Sequence, residues 1–210
     1  MIPIKICGIT NKSDAIEAVN LGASAIGFIF YRESQRYLSF SVAKSICEKV
    51  APKVTVVGVF VNHSRKFINH AIDSVPLDMI QLHGDESPEF CKNFSVPIIK
   101  AIRVKNELSL KIINQYKVNG ILLDSFSKIE YGGTGKTFDW SLIKLKTKQN
   151  ILLSGGLNSD NILEAISFAN PAAVDLSSSV ESSIGQKDHY KMKKLFEVIK
   201  NTNETGFKYG

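Results

Sequence analysis

The sequence is poor in the residues that build fibrous, disulfide-linked or unfolded chains. Its 210 residues include only 3 cysteines, 6 prolines and 14 glycines, and 44% of them are hydrophobic. This composition excludes collagen-like repeats and low-complexity disorder, because such chains carry far more glycine or proline and few apolar residues. We expect one globular domain that extends over residues 1–210.

The cysteines are also too few and too far apart to form a framework. Cys7, Cys47 and Cys91 show no C-x-x-C spacing. An odd number of cysteines without that spacing predicts neither a set of disulfides nor a zinc site. Cys47 and Cys91 fall in predicted helix interiors, where cysteine behaves as a small buried apolar residue.

Long apolar runs are absent. The longest, near residues 54–61, has the length of a β-strand, whereas a helix that spans a bilayer needs roughly 20 apolar residues. The first ten residues contain Lys5 and no apolar stretch of the signal-peptide type. We therefore expect no membrane association and a cytoplasmic location.

Positive charge is in moderate excess, with 26 Lys and Arg against 20 Asp and Glu and a net charge of +6. The densest basic cluster, Lys191, Lys193 and Lys194, lies on a predicted helix and has no interleaved aromatic residues. A solvated helix face explains this cluster better than a nucleic-acid surface, so no nucleic-acid partner is expected. The excess charge can instead steer an anionic small substrate to the protein.

Short apolar runs alternate with helical-period segments along the whole chain, at intervals of about 20 to 30 residues. The runs predict eight strands, at residues 4–7, 25–30, 55–60, 79–82, 98–102, 120–123, 151–153 and 173–176. Start signals such as Ser, Asn and Ser-Pro predict helices at residues 15–21, 42–50, 67–75, 89–94, 108–116, 162–168 and 189–200.

Apolar strands that are each followed by a helix are typical of a parallel sheet covered on both faces. Eight such units allow the sheet to close, and we predict an α/β fold of the (β/α)8 (TIM) barrel type. An open doubly wound sheet is the alternative. Residues 201–210 are polar and end in glycine, and we expect this tail to fray.

A barrel of this kind carries its active site at the carboxyl ends of the strands. Several reactive side chains follow the predicted strands at these ends. They are Cys7 after the first strand, Arg36 after the second, His83 after the fourth and Asp124 after the sixth. A thiol and a carboxylic acid can transfer protons, and a guanidinium can bind an anion through its planar fork. Each also has a plain structural interpretation: a buried inert thiol, a solvated arginine, a structural histidine and an aspartate that caps a turn.

The ends of the last two strands indicate a phosphate site. Gly155 and Gly156 follow the seventh strand, and Ser177 and Ser178 follow the eighth. Phosphate sites in this fold use the backbone N–H groups of these two loops and the N-terminus of a short helix. Simple turn residues are the alternative interpretation.

The stretch after the sixth strand contains Gly135-Lys136-Thr137, which superficially matches a nucleotide-binding P-loop. The P-loop spacing requires glycine at position 130, where the chain has Glu130. We therefore reject nucleotide hydrolysis and predict a mobile glycine-rich loop over the barrel mouth.

These residues together predict a small phosphorylated substrate held beside Cys7 and Asp124. No metal-ligand cluster and no dinucleotide fingerprint accompany them, so we expect neither metal nor cofactor. An acid, a base and a phosphate site are most consistent with isomerisation of a sugar phosphate.

Six motifs in order resemble the phosphoribosylanthranilate isomerases of tryptophan biosynthesis. They are K-I-C-G-I-T, Q-L-H-G-D-E, L-L-D-S, G-G-T-G-K-T-F-D-W, L-S-G-G-L-N and V-D-L-S-S-S-V-E. The resemblance implies conversion of N-(5-phosphoribosyl)anthranilate into 1-(2-carboxyphenylamino)-1-deoxyribulose 5-phosphate, an Amadori rearrangement without metal or cofactor. The enzyme would be a monomer or a homodimer.

The resemblance also implies a role for each candidate residue. Asp124 matches the general acid that protonates the ring oxygen, and Cys7 matches the general base that takes the proton from C2′. Arg36 would pair with the anthranilate carboxylate, and His83 would line the pocket. The phosphate would be held by four residues: Gly155, Gly156, Ser177 and Ser178.

One position departs from the pattern, since Ser179 stands where the family usually has glycine. If this position needs a positive φ, serine there is strained by about 1 kcal/mol. Two other functions stay open at this point. One is a different sugar-phosphate isomerase or lyase on the same barrel, and the other is a non-catalytic phosphate sensor or basic nucleic-acid-binding barrel.

Overall fold

The computed structural model describes residues 1–50, 52–125, 140–143, 147–203 and 205–209. Eight parallel strands form a closed barrel, with neighbours in chain order. The strands are β1 (Ile4–Cys7), β2 (Ala25–Ile29), β3 (Thr55–Phe60), β4 (Met79–Leu82), β5 (Ile98–Val104), β6 (Gly120–Ser125), β7 (Ile151–Leu153) and β8 (Ala173–Leu176).

The barrel closes between its first and last strands. Ile4 of β1 is in register with Val174 of β8, and Lys5 is in register with Asp175. The predicted (β/α)8 barrel is therefore confirmed, and the open doubly wound sheet is wrong. Closure succeeds because all eight strands are buried along nearly their whole length, as a sheet covered on both faces requires.

Helices pack on the outside of the barrel between most strands. They are α1 (Lys12–Asn20), α2 (Phe40–Val50), α3 (Arg65–Ser74), α4 (Glu107–Leu110), α5 (Ile162–Ala169) and α6 (His189–Ile199). Side chains cap several of them, and Ser64 among these caps is a predicted start signal. Ser64 accepts a hydrogen bond from the Phe67 N–H, and Asp188 accepts from the N–H groups of Tyr190 and Lys191.

Two predicted helices differ in the structure. Residues 89–94 form turns, because the Arg65 guanidinium takes up the carbonyl oxygens of Phe90 and Lys92 and Asn93 adopts a positive φ of 60°. The predicted helix at residues 108–116 stops at Leu110 and continues as a 3-10 turn, Ile113–Gln115. The sequence prediction also omitted a hairpin after β8, formed by β9 (Glu181–Ser183) and β10 (Gln186–Lys187).

The predicted fraying of residues 201–210 is wrong for residues 205–209. Tyr209 is 5% exposed and belongs to the apolar cluster inside the barrel, and Phe207 packs against the same cluster. The Thr55 hydroxyl donates to the Tyr209 carbonyl at 2.8 Å, and the Thr205 hydroxyl donates to the Ala172 carbonyl. The tail is held because its aromatic residues fill the lower end of the barrel, which composition alone does not reveal.

We expect opposite effects from two substitutions of Tyr209. Its hydroxyl is buried without a hydrogen-bond partner, so Tyr209→Phe should raise the free energy of unfolding by up to about 1 kcal/mol. Tyr209→Ala leaves a cavity and should lower it by about 3 kcal/mol. Urea unfolding measures both changes, and equal stability of the alanine variant and the parent would show that the tail contributes nothing.

Among the residues described, no helix combines the length and the apolar character that a bilayer crossing requires.

Candidate active site

The carboxyl ends of the strands meet around one pocket at the barrel mouth. Five of the sequence-predicted residues line this pocket: Cys7, Arg36, His83, Asp124 and Ser177. The remaining three, Gly155, Gly156 and Ser178, line an adjoining pocket that shares Asp124 and Ser177 with the first. The structure therefore brings all eight predicted residues together.

Cys7 is the last residue of β1 and lines the main pocket. Its side chain is largely buried, with 6% of the residue exposed. Burial raises the pKa of the Cys7 thiol, and the nearby Lys5 ammonium acts in the opposite direction. The thiol therefore faces the pocket in an environment that contains a buried cation.

Asp124 is fixed at the end of β6 by hydrogen bonds to both carboxyl oxygens. The Ser125 N–H donates to Oδ1 at 2.8 Å, and His83 Nε2 lies 3.2 Å from Oδ2. The Gln81 amide nitrogen lies 2.7 Å from His83 Nδ1 and donates to it. Since Nδ1 accepts this bond, the imidazole carries its proton on Nε2, and this N–H donates a hydrogen bond to Asp124. The chain Gln81–His83–Asp124 is buried throughout.

Arg36 extends from the loop after β2 and is clamped by a carboxylate of the chain itself. Its Nε and Nη2 donate to the two oxygens of Glu181 at 2.9 and 2.8 Å. Lys187 also donates to Glu181, at 2.9 Å. Burial raises the pKa of Glu181, but the bonds from Arg36 and the charge of Lys187 outweigh burial and lower it overall. The predicted planar fork is present, and it grips Glu181.

The loops after β7 and β8 have the conformation of an anion cradle. Gly155 and Gly156 adopt φ values of +83° and +65°, which glycine tolerates and other residues rarely do. Ser177 precedes the 3-10 turn Ser178–Val180, and Ser177 and the first two residues of this turn line the adjoining pocket. Ser179 is not among the described residues with positive φ, so the strain considered from the sequence does not arise.

Five further charged or polar residues around the site were not predicted from the sequence. They are Lys5, Gln81, Asp175, Glu181 and Lys187, and all are buried. A signal was available for Lys5, Gln81 and Asp175, since each interrupts an apolar strand. The predicted glycine-rich loop at residues 131–140 lies outside the described residues, except for Trp140. Among the described residues, no three His, Cys, Asp or Glu side chains cluster in a way that could hold a metal ion.

Comparison with known proteins places this arrangement in a family. The sequence profile described as "N-(5'phosphoribosyl)anthranilate (PRA) isomerase" matches residues 4–198. The N-(5'-phosphoribosyl)anthranilate isomerase of Pelobacter propionicus is 43% identical over 203 residues, which cover 96% of this chain and 97% of that protein.

Solved structures agree with the sequence match. Monomers generated from the dimeric isomerase of Thermotoga maritima superpose with a TM-score of 0.87 at 39% identity, over 96% of this chain and 100% of that one. A phosphoribosylanthranilate isomerase in complex with reduced 1-(o-carboxyphenylamino)-1-deoxyribulose 5-phosphate gives a TM-score of 0.86 at 40% identity, with the same coverage. The chain therefore belongs to the family of N-(5'-phosphoribosyl)anthranilate isomerases and is an isomerase of tryptophan biosynthesis.

Proposed function

We propose that the pocket catalyses this isomerisation with Asp124 as general acid and Cys7 as general base. The observation that carries the proposal is the placement of both groups on one pocket, from strands β1 and β6. The two strands that separate them around the barrel, β7 and β8, carry the loops of the anion cradle. A ribose anchored there by its phosphate lies between the acid and the base.

The first step opens the furanose ring. Asp124 gives its proton to the ring oxygen, the C1′–O bond breaks with its electron pair on oxygen, and the nitrogen lone pair forms a C=N iminium. The Asp124 carboxylate produced accepts hydrogen bonds from the Ser125 N–H and from His83. Such bonds stabilise a developing negative charge at a fixed position. We propose that His83 lines the pocket and orients Asp124 through this contact.

The second step removes the proton on C2′. The thiolate of Cys7 takes this proton, and the C–H electron pair forms the C1′=C2′ double bond while the nitrogen recovers its lone pair. The positive charge of the iminium makes this C–H bond acidic, so a base of moderate strength suffices. A proton then moves from the C2′ hydroxyl to C1′ and gives the ketone. The enzyme resets when Cys7 loses a proton and Asp124 regains one.

The two ends of the substrate are proposed to bind at opposite sides of the reacting carbons. The phosphate binds the N–H groups and hydroxyls of Gly155, Gly156, Ser177 and Ser178, which line one pocket. The anthranilate carboxylate binds Arg36, which lines the main pocket beside Cys7. The Glu181 clamp holds the plane of the guanidinium and so fixes the direction of its donors.

Arg36→Lys should weaken substrate binding more than it slows the chemistry. Lysine keeps the charge but lacks the fork that pairs with Glu181 and with a carboxylate. We expect KM to rise about tenfold to a hundredfold, with kcat within about threefold of the parent. Steady-state kinetics with N-(5'-phosphoribosyl)anthranilate measure both constants.

The exposed Arg32 in the same loop provides the matched control. Arg32→Lys makes the same change of side chain at a residue that does not line the pocket. Equal KM values for both variants would rule out the carboxylate contact of Arg36.

The placement of the whole substrate can be tested with a crystal structure of the chain bound to reduced 1-(o-carboxyphenylamino)-1-deoxyribulose 5-phosphate. We expect the phosphate against Gly155 and Gly156, and the sugar between Cys7 and Asp124. A phosphate bound elsewhere, or a sugar out of reach of either group, would overturn the proposal.

The partner is proposed to be this small phosphorylated substrate alone, in the cytoplasm where amino-acid biosynthesis takes place. The assembly is proposed to be a monomer or a homodimer, the latter by analogy with the dimeric isomerase of Thermotoga maritima.

A further inference from the structure

A buried ion pair lies at the pocket, with Asp175 in the pocket lining, and has no part in the mechanism described above. Lys5 of β1 is 0% exposed, and its Nζ lies 2.7 Å from Oδ1 of Asp175 on the adjacent strand β8. The other oxygen of Asp175 accepts a hydrogen bond from the Ser154 hydroxyl at 3.3 Å. Apolar side chains in such positions often stabilise a protein as well or better. A buried ion pair at an active site therefore points to a functional role.

The Lys5 side chain lies against Cys7. Lys5 and Cys7 are two positions apart on β1, so both side chains point to the same face of the strand. Both also pack on Gly27 of β2, where a Cβ would lie 2.8 Å from the Cys7 sulfur and 3.2 Å from Lys5 Cε. The lack of a side chain at Gly27 thus gives the sulfur and the lysine room to approach each other.

The charge state of Lys5 supports this contact. Burial disfavours its ammonium form, but the Asp175 carboxylate and the Cys7 sulfur outweigh burial, and the pKa of Lys5 is raised. Lys5 therefore stays positively charged. Burial raises the pKa of the neighbouring Cys7 thiol overall, and the Lys5 ammonium acts in the opposite direction.

We propose that Lys5, held in place by Asp175, is a positioning residue that stabilises the thiolate of Cys7 and so makes that sulfur competent as a base. The inference rests on the proposed role of Cys7. Its electrostatic part is independent of that role, because it concerns only the equilibrium between thiol and thiolate. When the thiolate takes the C2′ proton, the local charge returns to that of the neutral Lys5–Asp175 pair.

Other charged or titratable groups among the described residues surround the sulfur, and of these Lys187 also favours the thiolate, but less than Lys5 does. Lys187 is bound to the Ser177 carbonyl and to Glu181, and burial lowers its pKa. Tyr209 reaches the site from below, and burial raises its pKa well above the usual range, so it stays neutral. Three further groups line the pocket on its other sides: Arg36, His83 and Asp124.

The test measures the thiolate of Cys7 directly, through the rate of alkylation by iodoacetamide as a function of pH. Cys7→Ser gives the background from Cys47 and Cys91, whose pKa values burial raises to about 11. In Lys5→Met we expect the Cys7 profile to move to higher pH and the rate at pH 7.5 to fall at least tenfold, since only the thiolate reacts.

Asp175→Asn serves as the second variant and should move the profile the opposite way. The asparagine oxygen can still accept the 2.7 Å bond from Lys5 Nζ, so the ammonium stays in place. Only the negative charge next to the sulfur is lost, so the thiolate becomes easier to form. If the pair had a purely structural role, the alkylation profiles of both variants would shift in the same direction, or neither profile would shift. An unchanged profile in folded Lys5→Met, or shifts of the same sign in both variants, would overturn the proposal. If Lys5→Met does not fold, a profile of Asp175→Asn that stays in place or moves to higher pH overturns it.

Measurements of catalytic activity distinguish a failure of the Lys5 inference from a failure of the proposed function. In Lys5→Met, the limb of the kcat/KM pH profile that reports the base should move to higher pH, together with the alkylation profile. Full activity in Cys7→Ser would refute the role of Cys7 as base and leave the alkylation result standing. Loss of activity in Cys7→Ser with an unmoved profile in Lys5→Met would refute the role of Lys5 alone.

Discussion

Asp124→Asn should lower kcat by about 10²- to 10⁴-fold, the usual contribution of a general acid. Asparagine has nearly the same shape, and its side-chain oxygen can still accept the 2.8 Å bond from the Ser125 N–H. It has no acidic proton to give to the ring oxygen, so ring opening loses its catalyst while the pocket keeps its form. We therefore expect KM to change by less than about threefold. The fluorescence of N-(5'-phosphoribosyl)anthranilate follows turnover.

The matched control is Asp160→Asn, because Asp160 is a surface residue paired with Lys194 and lines neither of the two pockets of the site. This variant should keep kcat within about twofold, since exposed ion pairs contribute little. Retention of more than a tenth of kcat in folded Asp124→Asn would mean that another group protonates the ring oxygen. His83, 3.2 Å from Asp124, would then be the first residue to examine, with His83→Asn as the next variant.

The strands were predictable because each is a short apolar run buried on both faces. Five of the eight predicted strands coincide with the observed bounds, and the others differ only at their carboxyl ends, where β5 and β6 continue to Val104 and Ser125. Those ends carry polar side chains, Arg103 on β5 and Asp124 and Ser125 on β6, so the apolar pattern stops before the strand does. Among these three, Asp124 lines the pocket. The predicted site residues converge for the same topological reason, since a parallel barrel directs all its carboxyl ends to one mouth.

The contacts that tune the site could not be predicted from local patterns. Lys5 and Asp175 are 170 positions apart, and Arg36 and Glu181 are 145 apart. Each pair depends on the closure of the barrel or on the hairpin that follows β8. The buried tail residue Tyr209 is a similar case, because the other buried members of its apolar cluster come from seven of the eight strands. Periodicity reports which face of one element is buried and carries no information on such distant partners.

Gly155→Ala should damage both folding and activity, because this position tolerates no side chain. A Cβ at Gly155 would lie 2.6 Å from the Ser125 backbone nitrogen and 3.0 Å from Asp124 Oδ1, and the φ of +83° is itself unfavourable for alanine. The loop must therefore move away from β6. We expect the free energy of unfolding to fall by roughly 2–4 kcal/mol. A displacement of about 1 Å between phosphate cradle and acid should lower kcat/KM at least about a hundredfold.

Gly185→Ala separates the backbone cost from the steric one. Gly185 has nearly the same φ, +78°, but a Cβ there would meet nothing closer than Thr10 Cγ2 at 3.5 Å. This control should lose about 1 kcal/mol of stability and keep kcat/KM within about threefold of the parent. If both alanine variants lost activity equally, backbone strain alone would explain the result. A selective loss in Gly155→Ala would instead mean that close packing of the β7 loop on β6 sets the distance between the phosphate and the acid, because only that variant changes it.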